Sequence, residues 1–195
     1  MKFDKTLLLN PNTRPGTIIR FKYYPDFKPN LTPIQVIQFG SFGGTYWREI
    51  YSSVLDKKLK NKHKSIHFKE WWKNIPKDHM VRDFNDYDIS INKYNVMVGT
   101  TLELWEQKGW ITQHDPYGWF QWYCHFYAGR RLGKEDERQI SRWAGVASKK
   151  GRFRKRLVNM LKYKNKNYDD ETVSPRIRQT LQHWGVMITK YDLHI

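Results

Sequence analysis

The chain has 195 residues, 16% of them aromatic with nine Trp, and carries 35 Lys and Arg against 19 Asp and Glu, a formal net charge of +16. Such aromatic content supplies a hydrophobic core and excludes disorder along the whole length. No apolar run approaches the roughly 20 residues that span a bilayer, and the single cysteine, Cys124, excludes an internal disulfide framework and a multi-cysteine zinc site.

Residues 1–31 read as an extended N-terminal arm, interrupted by Pro11, Pro15, Pro25 and Pro29 and without the apolar centre of a signal peptide. Within it TIIRFKYY, Thr17 to Tyr24, alternates as one edge strand would. Residues 32–195 form a single domain. It opens with Thr32 as a helix N-cap, Pro33 in the first helical position and Gly40 as the stop. The glycines of GSFGGTYWREIYSS match neither the dinucleotide fingerprint nor the P-loop, so the stretch reads as a hinge. Five lysines between Lys57 and Lys64 mark a Lys-rich loop at about 55–67. FKEWWKNIP reads as a helix ended before Pro76, and Asp83 to Gly99 as a connection over the surface.

From Thr100 the periodicity sharpens. TTLELWEQKGW predicts a helix through Leu102 and Trp105 that stops at Gly109. After Asp115 and Pro116, Trp119, Tyr123 and Phe126 form one helical face and Phe120, Cys124 and Tyr127 the next. A helix apolar most of the way round is a buried, central one. KEDERQISRWAGVA and KKGRFRKRLVNMLKY give two more helices, and SPRIRQTLQHWG a last one, with Ser174 as cap, Pro175 in first position and Gly185 as stop. VMITKYDL reads as a terminal strand. The fold class expected from these elements is mainly α: a compact helical domain with minor β elements and a basic corner. That corner resembles a helix-turn-helix or, through Gly145, Val146 and Ala147, a helix-hairpin-helix that lacks its second glycine.

The charge is not spread evenly. Between Gly129 and Lys166 lie fourteen basic and three acidic residues, and seven of the thirteen Arg fall between Arg130 and Arg156. Codon bias toward Lys does not cluster Arg, so the corner is the candidate phosphate-contacting surface. Lys149, Lys150, Arg152, Arg154, Lys155 and Arg156 are its expected contacts, supported by Arg130 and Arg131. Tyr117, Trp119, Trp122 and Tyr127 near those two arginines suit base stacking, although their helical spacing favours core packing. Trp143 and Trp184 are assigned to packing, and Trp110 and Tyr117 to exposed positions. His114, Asp115 and His125 offer an acid–base set. Asp169, Asp170 and Glu171 read as charges before a helix N-terminus rather than as a metal site. No HExxH, GxSxG or P-loop pattern is present, and no cofactor or metal is expected.

The blocks DPYGWFQWY, RQISRW, KGRFR and SPRIRQTLQHWG, with FGGTYWREIYSS upstream, resemble those of a protein family of cellular and viral genomes. The resemblance covers roughly Thr32 to Gly185, departs at KKLKNKHKSIH, and implies a single-domain boundary without an activity, cofactor or catalytic residue. The residues themselves point to sequence-tolerant nucleic-acid binding, duplex DNA before RNA, by a monomer or weak dimer that does not engage membranes. The setting expected is a reducing one: nucleus, cytoplasm or viral particle. The alternatives are an enzyme of nucleic-acid repair or base modification using the same surface, and a structural protein that packages nucleic acid.

Overall fold

A nine-residue helix, Trp119–Tyr127, carries large side chains in every direction, and all but His125 are buried. Every side of it therefore needs cover. This helix is α3, and the others are α1 (Pro33–Gln38), α2 (Leu102–Gln107), α4 (Lys134–Ala147), α5 (Arg152–Tyr163) and α6 (Pro175–His183). α1 and α4 pack on α3, and α5 packs against both α4 and α6. The structure is a computed structural model that describes the backbone of Lys2 and Phe3 and residues 13–64 and 70–193.

The remaining cover is irregular chain. Phe27 sits among Trp122, Tyr123, Phe126 and Trp143, with ring centroids 5.0–5.7 Å away. Ile19, Phe21 and Leu31 are buried beside it. Residues 13–31 thus lack regular structure but supply part of the core, unlike a free arm; residues 1 and 4–12 lie outside the described residues. Thr17 to Tyr24 forms no strand, only an isolated bridge between Phe21 and Tyr24.

Irregular chain that is buried needs side-chain partners for its backbone. Asn30 supplies both halves of a bridge to Met187, donating to its carbonyl (2.9 Å) and accepting its amide (2.8 Å). The Gly185 carbonyl accepts the amides of Asn30 and Leu31. Gln179 and Gln182 on α6 both donate to the Gly40 carbonyl (3.2 and 2.7 Å), and Asn92 accepts the Gly43 amide (2.8 Å). The glycine stretch at 40–44 is accordingly a packed node and not a hinge. A side chain at Gly40 would place its Cβ 1.8 Å from the Ile91 carbonyl oxygen.

Strands are few and short. β1 (Lys2–Phe3) pairs antiparallel with β4 (Arg130–Arg131), and β2 (Ile50–Ser52) with β3 (Lys57–Leu59). Among the described residues helix of all kinds makes up 42% and strand 7%, which overturns the expectation of a mainly helical domain. The reason is the burial of the stretches between helices, which no 3.6-residue period marks. The expected Lys-rich loop begins as the β2–β3 hairpin. Of the helix expected in FKEWWKNIP, residues 70–74 form turns and 68–69 lie outside the described residues. Residues 186–193 end in a 3-10 turn, not a strand.

The end signals fared better. Thr32 caps α1, with its hydroxyl accepting the Gln35 amide and the Gln35 side chain accepting that of Thr32. Ser174 stands before Pro175 in a left-handed conformation without a side-chain cap bond. Among the described residues no helix is long and apolar enough to cross a membrane.

Trp143 is 1% exposed, and its Nε1 donates to the Trp184 carbonyl at 3.0 Å. Trp143→Ala is expected to lower unfolding free energy by about 3–5 kcal/mol, through lost transfer energy and a residual cavity. Urea titration checks the loss.

Candidate nucleic-acid interface and the adjoining cleft

α4 ends at Ala147 and α5 starts at Arg152, so the turn is Ser148 to Gly151. The Ser148 hydroxyl donates to the Ala144 carbonyl (2.6 Å), and the Gly151 amide to the Ser148 carbonyl (2.9 Å). Gly151 lies so close to the end of α4 that a Cβ there would sit 2.6 Å from the Val146 carbonyl carbon. Gly145, by contrast, is inside α4 with open space around it. The helix-hairpin-helix reading placed its tripeptide on Gly145, Val146 and Ala147. Those residues are helical, and that reading fails.

α5 has two faces. Arg154, Leu157 and Leu161 are its buried residues, spaced by three and four. Arg152, Lys155, Arg156, Asn159 and Tyr163 keep the same spacing on the outer side, where they line a shallow, open depression of about 540 Å³ with Met160. Tyr163 is 91% exposed. Lys149 and Lys150 extend this face into the turn and are exposed.

The eight cations expected to contact phosphate therefore divide. Lys149, Lys150, Arg152, Lys155 and Arg156 share one surface. Arg154 points inward: its Nε and Nη2 donate to Asp192 Oδ1 at 2.8 and 2.7 Å, and Asp192 Oδ2 accepts the Thr189 amide and hydroxyl. Arg130 is buried and ion-paired to Asp115. Arg131, half-buried, donates to the Phe126 and Arg130 carbonyls and lies 4.0 Å from the Phe126 ring centroid. Arg130 and Arg154 are structural cations, which their position in an Arg-rich segment could not reveal.

The expected acid–base set divides as well. Asp115 is buried against Arg130, with His125 Nε2 3.9 Å from its Oδ1, while His114 is exposed. Burial pushes the Asp115 carboxyl up to about 6, against the lowering pull of the Arg130 guanidinium. Asp170 is held by Thr172 and Lys166, and Glu171 by Lys93. Among the described residues no group of three His, Cys, Asp or Glu could hold a metal ion.

Beside the basic face lies a cleft of about 520 Å³ that the sequence did not announce. Its aromatic lining includes Trp105, Trp110, Tyr117, Trp119, Phe120, Phe153 and Trp184. Arg48, Arg142 and Arg152 also line it; Asp, Glu and Cys do not occur among its described lining residues. Tyr46 and Tyr117 build one wall. The Tyr46 hydroxyl donates to the Tyr117 carbonyl (2.8 Å) and accepts the Gln121 amide (2.7 Å), and the Tyr117 hydroxyl donates to the Arg48 carbonyl (2.7 Å). Tyr117 is thus buried, although its place near a helix end suggested exposure; Trp110 is 40% exposed.

Arg142 lies over Trp110 and Trp184, 5.1 and 5.8 Å from their centroids, and donates to Gln139 Oε1 at 3.0 Å. Burial lowers its guanidinium pKa to about 10, and lowers that of Arg48. At pH 7 Arg142 remains cationic. His183 receives the Phe42 amide on Nε2 (3.1 Å), which leaves Nδ1 to carry the ring proton. Burial pushes the His183 pKa down to about 3, so the ring is neutral. Because these residues come from five separated segments, no local spacing signals the cleft.

No family model, no curated protein and no solved structure matches the chain. The block resemblance noted above therefore contributes neither a fold nor an activity, and the site is read from its own chemistry.

Removing Arg154 strands a buried Asp192 carboxylate. Arg154→Ala is expected to lower stability by about 3–5 kcal/mol, whereas Arg152→Ala on the outer face stays within about 0.5 kcal/mol. Paired urea titrations check the contrast. His183 gives a pH signature. Its folded pKa lies below the unfolded value of 6.5, so the unfolded chain takes the proton first and stability falls as pH drops below about 6.5. Asp115 has the opposite sign, because lowering pH through about 6 relieves its burial. The measurement is therefore a difference: between pH 7 and pH 5 the wild type should lose about 2 kcal/mol more than His183→Gln.

Proposed function

We propose that the chain binds nucleic acid in a sequence-tolerant way through the outer face of α5 and the turn before it. One observation carries this reading. Lys149, Lys150, Arg152, Lys155 and Arg156 are all exposed, and no ion pair joins any of them to another described residue. Uncompensated cations along a helix face about 17 Å long raise the local positive potential and are displaced onto phosphates with release of counterions. Phosphate contacts position a protein without reading sequence, which is why the binding is tolerant. Duplex DNA is the first expected partner. An intracellular setting, where nucleic acid and a reduced Cys124 coexist, belongs to the same proposal.

An enzyme would need a general acid or base in its pocket. The cleft has no carboxylate among its described lining residues, burial holds its His183 neutral with a pKa of about 3, and the carboxyl displaced to about 6, on Asp115, is paired with Arg130 away from that lining. Binding is thus the better-supported reading.

With five phosphates neutralised, affinity for duplex DNA should fall with salt at a log–log slope of about −4 to −5. Arg152→Glu, Lys155→Glu and Arg156→Glu together should remove most binding and leave the melting temperature unchanged. Reversal of Lys57, Lys58 and Lys60 on the hairpin should do much less. Equal losses from the two triples would mean diffuse attraction to net charge and would remove the special role of α5. Fluorescence anisotropy across a salt series reads all three proteins.

A further inference from the structure

The outer face of α5 and the aromatic cleft share a residue. Arg152 lines both the shallow depression and the cleft, so a strand whose phosphates lie on α5 passes the cleft mouth. The cleft has the chemistry of a nucleotide site. Its walls are broad aromatic faces, which stack on any base. Its polar equipment consists largely of donors. Arg48 and Arg142 bring guanidinium groups, and His183 carries its proton on Nδ1 because Nε2 is occupied by the Phe42 amide. Trp119 adds an indole Nε1 that is buried without any hydrogen-bond partner, on a side chain only 7% exposed. Buried donors without acceptors are rare and unfavourable, and carboxylates are missing from the described lining. A ligand that completes this site brings a flat π-face, several acceptor atoms and negative charge. At the mouth, Trp110, Phe84 and Met97 are exposed apolar side chains, a setting a stacked base would cover.

We infer that the cleft receives one unpaired nucleotide from a strand bound along α5, its base between the aromatic walls and its phosphate toward Arg142 and Arg152. This inference rests on the nucleic-acid reading of α5 and adds a preference to it: single strands, bulges and flipped bases are favoured over perfect duplex. Insertion of an already unpaired base avoids the unstacking that extrusion from a duplex requires.

The test uses wild-type protein and Trp110→Ala at one salt concentration. Its probes are a twelve-nucleotide thymidine strand, the same strand with abasic sites, a perfect duplex, a duplex with a one-nucleotide bulge, and free thymidine monophosphate. Loss of one stacked base weakens binding by about 5- to 150-fold. The wild type should therefore bind the bulged duplex at least about 5-fold more tightly than the perfect one, and the abasic strand correspondingly more weakly than the intact strand. Trp110→Ala should erase these differences while binding perfect duplex as the wild type does. The wild-type comparison does not depend on the folding of any variant.

Equal wild-type affinity for intact and abasic strands, or for bulged and perfect duplexes, overturns the inference. A free monophosphate that binds as tightly as the strand overturns the strand-borne source. If those differences are missing while reversal of the α5 triple still abolishes binding, the cleft assignment alone fails. If wild-type protein binds neither strand nor duplex, the reading of α5 fails as well.

Discussion

A helix buried at every position but one has almost no side to give to water. α3 carries Trp119, Phe120, Trp122, Tyr123, Phe126 and Tyr127 over one broad face and Gln121, itself buried, with His125 on the other, and the rest of the chain is arranged to cover it. Two or three helices cannot enclose so short a cylinder. Irregular segments close the gaps, bringing Phe27 from one end of the described chain and Val186 and Ile188 from the other. Burying such chain is tolerable only where side chains replace the missing ladder of backbone bonds. Asn30, Asn92, Gln121, Gln179 and Gln182 do so, and all five are buried. The low helix content is thus a consequence of the central helix, not a sign of looseness.

The same interior demand sorts the charges. Asp136 is drawn inside, where it accepts the Trp122 indole proton (2.9 Å) and the Leu132 and Gly133 amides at the start of α4. Asp115 and Asp192 are taken up by Arg130 and Arg154. Arg178 donates to the Val173 and Asp170 carbonyls and holds the approach to α6. Asp136 leaves the surface without a cation, while the Asp115–Arg130 and Asp192–Arg154 pairs leave it as neutral units. What remains outside near α5 is almost entirely cationic, and that field is a product of folding as much as of composition.

Local signals told part of this. The Thr32–Pro33 start and the Gly109 and Gly185 stops are backbone requirements that act within a turn of chain, so they are legible. The burial of α3 was legible too, because aromatic residues on adjacent faces have no other stable placement. The adjacency of α4 and α5 followed from two apolar stripes joined by a short basic turn. Other features depend on partners far away in sequence. Arg154 differs from Arg152 and Arg156 only by lying on the inner side of α5, opposite Asp192. Arg130 finds Asp115 across the end of α3. The core role of Phe27 lies in a segment whose prolines suggested a loose arm. The cleft draws on residues from 42 to 184, and its aromatic and basic members carry no common spacing.

On the proposed function, the outer face of α5 and the neighbouring cleft form one continuous nucleic-acid surface. Photo-crosslinking tests it most directly. A single strand carrying one 5-iodouracil is irradiated with the full chain, and the adduct is located by peptide mass spectrometry. The account predicts adducts on cleft aromatics such as Trp110, Phe153 or Trp184, lost on competition with unlabelled strand. Adducts confined to the β2–β3 hairpin, or scattered in proportion to surface lysines, would contradict it.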